Sequence, residues 1–225
     1  MRLTVACVVV LMACSRERSP SVQTTSVHSD TTGRGALAGR RTVLIVGTSL
    51  TAGLGLDPDD AWPALLQAKI DSAGLPYHVV NAGLSGETSA GALRRIDWLM
   101  RGPVDVFVLE TGANDGLRGL DTDSLRANIE AILAKVHAAR PSARLALVQM
   151  EAPPNLGSDY TSRFHSIYGE AARAEGATLL PFLLDSVAGH PGLNQADGMH
   201  PNVAGSRVAA GTEWRALLPI LANSR

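Results

Sequence analysis

The fold follows from nine residues, Thr42–Leu50, which read TVLIVGTSL. The run that ends at Val46 has the aliphatic and β-branched density of a strand buried on both faces. Gly47 ends this run, so we expect the hydroxyl of Ser49 to stand at the strand's carboxyl end. Ligands bind at that edge in open α/β sheets, which makes Ser49 a candidate functional residue.

A second stretch, Asp197–Pro201 (DGMHP), supplies chemistry that matches a serine. Asp197 precedes His200 by three residues in a loop tightened by Gly198, so its carboxylate can accept a hydrogen bond from the nearer imidazole nitrogen. That bond fixes the tautomer and leaves the other nitrogen free to act as a base. The chain has six histidines, and only His200 has an acid at this short spacing. Ser49, His200 and Asp197 therefore predict a nucleophile, a base and an orienting acid.

From residue 41 onward, short apolar runs alternate with longer amphipathic stretches. Strands that alternate with helices predict an α/β fold in which a parallel five-stranded sheet carries helices on both faces. The runs predict strands at 42–47, 77–82, 104–110, 144–150 and 177–182.

Helical spacing of apolar residues predicts the helices between these strands. Gly74 and Gly176 are typical residues just beyond a helix end, and Asp59 or Asp60 is the predicted cap of the first long helix. The last helix is expected to begin near Pro201, a favourable residue for a first turn.

The N-terminus has the features of an export signal. Arg2 precedes an apolar run, Leu3–Ala13, that is too short to span a bilayer. The run ends LMAC at Cys14, which resembles a bacterial lipobox; an ordinary cleaved signal is the alternative. We expect residues 1–13 to be the signal peptide, 14–40 a lipidated cysteine with a flexible Ser/Thr-rich tether, and 41–225 the folded domain. This predicts a periplasmic or cell-envelope protein anchored to the membrane through Cys14.

Composition argues against several function classes. The formal net charge is −1 without a long basic run, so no nucleic-acid partner is expected. The two cysteines, Cys7 and Cys14, lie in the apolar segment, so the domain has neither disulfide nor thiolate metal site. Asp197 and His200 lack a persuasive third metal ligand, and the glycines after Ser49 complete neither a phosphate-binding nor a dinucleotide motif. We therefore predict a monomer without cofactor or metal.

Two further loops leave strand ends on the same predicted edge. Gly86 lies in Asn81–Thr88, where glycine lets a backbone amide point into a cleft. Asn114 offers a side-chain donor for an oxyanion, although an Asx-turn is the simpler interpretation of this residue by itself. The irregular segment 151–160 predicts a pocket wall that includes Leu156, and His190 is a candidate pocket residue.

With these motifs in order, the chain resembles the SGNH (GDSL-type) hydrolases, specifically the bacterial thioesterase I, arylesterase and lysophospholipase L1 group. The resemblance covers residues 42 to about 221. The resemblance implies a three-layer α/β/α, flavodoxin-like fold and oxyanion donors from Ser49, Gly86 and Asn114. Its four blocks are matched by Gly47–Leu50, Ser85–Thr88, Gly112–Asp115 and Asp197–Asn202.

The resemblance implies a serine esterase or thioesterase that acts on acyl esters, aryl esters or lysophospholipids. A carbohydrate acetylesterase of the same superfamily and a non-catalytic envelope binding lipoprotein are the alternatives. One position departs from the family, which has aspartate where this chain has Thr48. Threonine keeps one hydroxyl but loses the charge, so Thr48→Asp is expected to restore a brace of the nucleophile loop if the loop offers donors.

Overall fold

Five parallel strands form the centre of the molecule. The computed structural model describes residues 39–223, so the predicted signal segment, Cys14 and most of the predicted tether lie outside the described residues. The strand order is β2-β1-β3-β4-β5, which confirms the predicted flavodoxin-like α/β sheet. The strands are β1 (Arg41–Gly47), β2 (Tyr77–Gly83), β3 (Val106–Leu109), β4 (Arg144–Gln149) and β5 (Thr178–Phe182).

Helices cover both faces of this sheet. Helices α2 and α7 pack together on one side, while α3, α5 and α6 form the layer on the other. Within residues 39–223, none of the helices has the length and apolar character needed to span a bilayer. The helices are α1 (Ser49–Ala52), α2 (Trp62–Ser72), α3 (Ser89–Leu99), α4 (Ala113–Leu117), α5 (Thr122–Ala139), α6 (Ser158–Ala174) and α7 (Val203–Ala222).

The start of α2 differs from the prediction. Asp59 and Asp60 lie in a short 3-10 turn, and the residue that caps the helix is Ala61, which makes no side-chain capping bond. Pro63 lies in the first turn, where its missing N–H is not needed, and this proline favours a helix start at this point. The predicted ends are confirmed, because Gly74 and Gly176 follow α2 and α6 with positive φ angles.

The topology brings the functional loops to one edge of the sheet. In the register of β1, Val46 pairs with Ala82 of β2 and with Leu109 of β3, so these three strands end side by side. The strand order reverses between β1 and β3, which is where ligands bind in doubly wound sheets. The segments after β1, β2 and β3 therefore border a common crevice.

Helix α7 carries a buried acid, Glu213, that faces the sheet layer. Its side chain is fully buried, and among the described residues neither carboxyl oxygen has a hydrogen-bond partner. Burial raises the pKa of Glu213 to about 8, and the nearby carboxylate of Glu110 acts in the same direction. The folded protein therefore keeps Glu213 protonated at neutral pH.

We expect Glu213→Gln to raise the melting temperature at neutral pH. Because the pKa is raised in the folded state, the contribution of Glu213 to stability is complete below about pH 4 and is lost as pH rises through its folded pKa. The glutamine variant lacks this loss, so its advantage should reach a few kcal/mol at about pH 8. Thermal melts at about pH 5 and pH 8 measure the difference.

The control is Glu175→Gln, at the end of α6, which replaces a carboxyl group with an amide in the same way at a half-exposed position. Equal effects of the two substitutions across this pH range would contradict the assignment of a protonated, buried Glu213.

Candidate active site

Ser49 is held at the first position of α1, directly after β1. The side chain of Thr48 caps this helix by accepting a bond from Leu50 N, and Gly53 ends it in the left-handed conformation. Ser49 is 9% exposed, so its hydroxyl reaches solvent through the crevice alone. A serine at the start of a short helix also has a free backbone N–H, because the first turn supplies no acceptor.

His200 and Asp197 complete the relay that the sequence predicted. The hydroxyl of Ser49 donates to Nε2 of His200 at 2.9 Å, across 151 residues of sequence. The Nδ1–H of His200 donates to Oδ2 of Asp197 at 2.6 Å. The carboxylate therefore selects the tautomer in which Nε2 carries the lone pair and accepts the serine proton.

The Asp197 carboxylate is prepared for this task by its own loop. Its Oδ1 accepts the backbone N–H groups of Met199 and His200 at 2.9 and 3.0 Å. These bonds, together with the bond from the His200 ring, lower the pKa of Asp197 to about 2. Asp197 therefore stays ionised throughout the neutral range and orients the imidazole.

A buried carboxylate, Glu110, braces the nucleophile loop from below. It accepts the N–H of Thr48 at 2.8 Å, the hydroxyl of Thr48 at 3.0 Å and the hydroxyl of Thr51 at 2.8 Å. Burial raises the pKa of Glu110, while the bonds from Thr48 and Thr51 oppose that rise. From the sequence alone, Glu110 had no assigned role. Its position directly after a buried strand, on the edge that carries the site, was the signal that could have identified it.

The position of Glu110 changes the interpretation of Thr48. The family resemblance suggested that an aspartate there would restore a missing brace, but the hydroxyl of Thr48, which accepts a bond from Leu50 N, also donates to the buried carboxylate of Glu110. Thr48 is 1% exposed, so a carboxylate at this position would meet Glu110 in a buried site. Threonine is therefore the donor that Glu110 requires.

Three residues that line the cleft, Ser49, Gly86 and Asn114, have donors that other protein groups do not fully use. Among the bonds of residues 39–223, the backbone N–H groups of Ser49 and Gly86 donate to no protein acceptor. Nδ2 of Asn114 donates to the carbonyl of Glu87 at 3.0 Å, which fixes the amide and leaves its second hydrogen available. This arrangement can bind an oxygen that develops negative charge.

Backbone geometry at Gly112 allows Asn114 to reach this place. Gly112 precedes α4 with φ of 101°, and a side chain there would collide with the hydroxyl of Tyr168. That hydroxyl donates to the carbonyl of Thr111 at 2.8 Å and so holds the strand end in place. A residue other than glycine at 112 would displace the loop that carries Asn114.

An apolar cleft of about 600 Å³ opens in front of Ser49 and His200. Gly86 and Asn114 line it, as predicted. Leu156 and His190 do not: Leu156 lies beside Gly119, and the backbone of His190 bonds to Asn194. The first half of segment 151–160 forms the predicted wall. A 3-10 turn at Pro154–Leu156 follows, and the residues after Pro154 do not line the cleft. The apolar lining consists of Leu50, Leu54, Ala113, Leu117, Met150, Ala152, Pro153, Pro154, Phe182, Leu184, Ala188 and Met199.

The arrangement has the parts that acyl transfer requires. The relay moves a proton from a hydroxyl to an imidazole, and the donor set stabilises the resulting tetrahedral oxyanion. Within residues 39–223, no three His, Cys, Asp or Glu side chains lie close enough together to hold a metal ion.

This fold and this site define an acylhydrolase of the SGNH type. The chain belongs to the GDSL-like lipase/acylhydrolase family, whose model matches residues 45–208. Esterase TesA of Pseudomonas aeruginosa is 40% identical over 185 residues, which cover 82% of this chain and 91% of that protein. The family prediction from the sequence is thereby confirmed.

Two further relatives extend this comparison. Thioesterase 1/protease 1/lysophospholipase L1 of Escherichia coli is 40% identical over 162 residues, covering 72% of this chain and 76% of that protein. The solved structure of the psychrotrophic esterase EstA from Pseudoalteromonas sp. aligns with a TM-score of 0.77 at 36% identity, covering 81% of this chain and all of that one. The similarity thus extends over nearly the whole described domain.

We expect Thr48→Asp to lower both melting temperature and turnover. The variant replaces a donor to Glu110 with a second buried carboxylate, so one of the two must hold a proton. Because the close contact of the two carboxyl groups raises the pKa of the one that holds the proton in the folded state, the loss of stability should grow as pH rises from about 5 to 8. Thermal melts and initial rates over this range measure the effect.

Thr48→Val is the matched control, because it removes the donor without adding a charge. Its loss of stability should be about 1–3 kcal/mol, the usual effect of an unsatisfied buried group. That loss should grow with pH much less than the loss for Thr48→Asp, because one missing hydrogen bond raises the pKa of Glu110 less than a second buried carboxylate does. A rise in both melting temperature and turnover for Thr48→Asp would show that the loop accepts the family aspartate.

Proposed function

We propose that this protein hydrolyses acyl esters and thioesters through Ser49, His200 and Asp197, by way of an acyl-enzyme. Its class, a carboxylic ester hydrolase, agrees with the acylhydrolase family and with relatives named as esterase, thioesterase and arylesterase. The observation that carries the proposal is the relay from Ser49 to His200 at 2.9 Å and from His200 to Asp197 at 2.6 Å.

In the first half of the reaction, the oxygen of Ser49 attacks the substrate carbonyl while Nε2 of His200 takes the hydroxyl proton. The carbonyl π bond opens to an oxyanion, which the N–H groups of Ser49 and Gly86 and the amide of Asn114 stabilise. The bond to the leaving group then breaks, and His200 returns the proton to the departing alcohol or thiol.

In the second half, water attacks the acyl-enzyme in the same manner. His200 accepts a proton from the water, and the oxyanion forms again among the same donors. Collapse of this intermediate releases the carboxylic acid and returns the proton to Ser49. Asp197 remains ionised throughout and stabilises the imidazolium that forms twice in each cycle.

The lining of the cleft favours acyl chains as substrates. Twelve apolar side chains border the crevice, and burial of each further methylene contributes about 0.8 kcal/mol. An acetylesterase for carbohydrates needs a shallower and more polar site, so the geometry does not favour that alternative. The binding-lipoprotein alternative is not favoured either, because Thr48 satisfies Glu110 and does not impair the loop.

We also propose that the protein is exported and attached to the membrane through a lipid on Cys14. The support is the sequence of the first fourteen residues and the Ser/Thr-rich tether predicted up to residue 40. All three relay side chains come from one chain, so a monomer is the proposed active unit.

We expect Ser49→Ala to abolish hydrolysis of p-nitrophenyl butyrate while the protein stays folded. The hydroxyl is the covalent nucleophile, and its removal should lower turnover by about 10³-fold or more. Steady-state rates and a thermal melt of the same preparation measure this. A variant that kept more than about a tenth of wild-type turnover would exclude Ser49 as the nucleophile.

Leu117→Ala should reduce hydrolysis of long-chain esters more than that of acetyl esters. Leu117 lines the cleft, and its truncation removes apolar contact with an acyl chain but not with an acetyl group. The expected loss is about 3- to 10-fold in kcat/KM for decanoyl esters. Leu156→Ala is the control, because that side chain lies outside the cleft, and its ratio of decanoyl to acetyl rates should match the wild type. Equal ratios in both variants would contradict the proposed acyl site.

A further inference from the structure

A second groove opens beside the oxyanion donors. It has a volume of about 460 Å³ and shares Gly86 with the apolar cleft. Its other lining residues come from the loop after β2, from the first half of α3 and from the end of α4. They include three arginines, Arg94, Arg95 and Arg118. A cationic groove thus begins at Gly86, the same residue whose N–H is a proposed donor to the substrate carbonyl oxygen.

Two of the three guanidinium groups have no carboxylate partner among the described residues. Arg95 is neutralised by Glu87, which it contacts at 2.7 and 2.6 Å. Arg118 donates to the carbonyl of Gly86 at 3.0 Å, and this bond leaves its charge uncompensated. The side chain of Arg94 is exposed and makes no hydrogen bond or ion pair within residues 39–223. The groove therefore carries a net positive charge of about two.

We propose that this groove binds a phosphate group carried by the leaving group of the substrate. The inference rests on the proposed function, and it names Arg94 and Arg118 as the residues that recognise the phosphate. The apolar cleft accommodates the acyl chain, so the polar part of the substrate must extend elsewhere from the carbonyl. Guanidinium groups bind phosphate oxygens through charge-assisted hydrogen bonds, and they are weakly hydrated compared with ammonium groups.

Arg118 connects this groove to the donors of the oxyanion. Its bond to the carbonyl of Gly86 holds the loop whose next carbonyl, that of Glu87, receives the amide of Asn114. Substitution of Arg118 therefore affects both loop position and phosphate binding. Arg94 touches no part of the donor set, so it is the residue that separates the two effects.

Arg94→Gln and Arg94→Glu test the proposal on matched substrates. The first pair is decanoyl-CoA and decanoyl-pantetheine, and the second pair is a lysophosphatidylglycerol and the corresponding monoacylglycerol. We expect kcat/KM for the phosphate-bearing member to fall about 3- to 10-fold with glutamine and further with glutamate. The phosphate-free members and p-nitrophenyl butyrate should keep their wild-type rates.

Arg101→Gln and Arg101→Glu are the controls. Arg101 follows the far end of α3, about 10 Å along the helix from Arg94, and its exposed side chain lies outside the groove. The control variants change net charge equally, so their kcat/KM values on phosphate-bearing substrates should stay near the wild type. Rising salt should also reduce the wild-type preference for the phosphate-bearing members and have less effect on Arg94→Glu.

The outcomes are distinct. A loss confined to the CoA pair identifies a nucleotide thioester as the source of the phosphate, and a loss confined to the lipid pair identifies a phospholipid headgroup; either result supports the groove. Equal losses for the Arg94 and Arg101 variants, or equal losses on both members of each pair, overturn it. Absence of p-nitrophenyl butyrate hydrolysis by the wild type would instead contradict the proposed function itself.

Discussion

The hydrogen bonds from Thr48 and Thr51 to the buried carboxylate of Glu110 are the interaction on which the site depends. A carboxylate is costly to bury, and three donors from one short loop offset that cost. These three hydrogen bonds fix the loop, because movement of the loop would leave Glu110 without partners. Ser49 lies between the two threonines, so its position is determined by the requirements of a group that does not touch the substrate.

Negative charge is distributed in a consistent pattern around this loop. Glu213, on helix α7, is protonated at neutral pH chiefly because burial raises its pKa to about 8, and the nearby carboxylate of Glu110 acts in the same direction. Asp197, at the mouth of the cleft, is ionised because backbone N–H groups and the His200 ring stabilise its charge. The acid that orients the base is thus ionised, and the protonated acid, Glu213, lies away from the chemistry.

The outer face of the site has the opposite character. Apolar side chains line the cleft, and Arg94 and Arg118 border the adjoining groove. An amphiphilic substrate with an acyl chain and an anionic head has this same division. Because both recesses meet at Gly86, the scissile bond would lie where apolar and cationic surfaces join, beside the three oxyanion donors.

The sequence by itself determined the parallel α/β sheet. It also named Ser49, His200 and Asp197, which the structure joins by hydrogen bonds, and Gly86 and Asn114, which line the same cleft. The sheet follows from the periodicity of apolar residues, and the site residues follow from short motifs whose members are close together in the sequence. Leu156 and His190, which the sequence predicted in the pocket, lie outside the cleft, because the path of their loops follows from local turns that leave no compositional signal. Only the tertiary structure decided that Thr48 donates to Glu110 and that Arg94 and Arg118 line the same groove. Those pairs are separated in the chain, and the burial and charge that define their roles exist only after the sheet has formed.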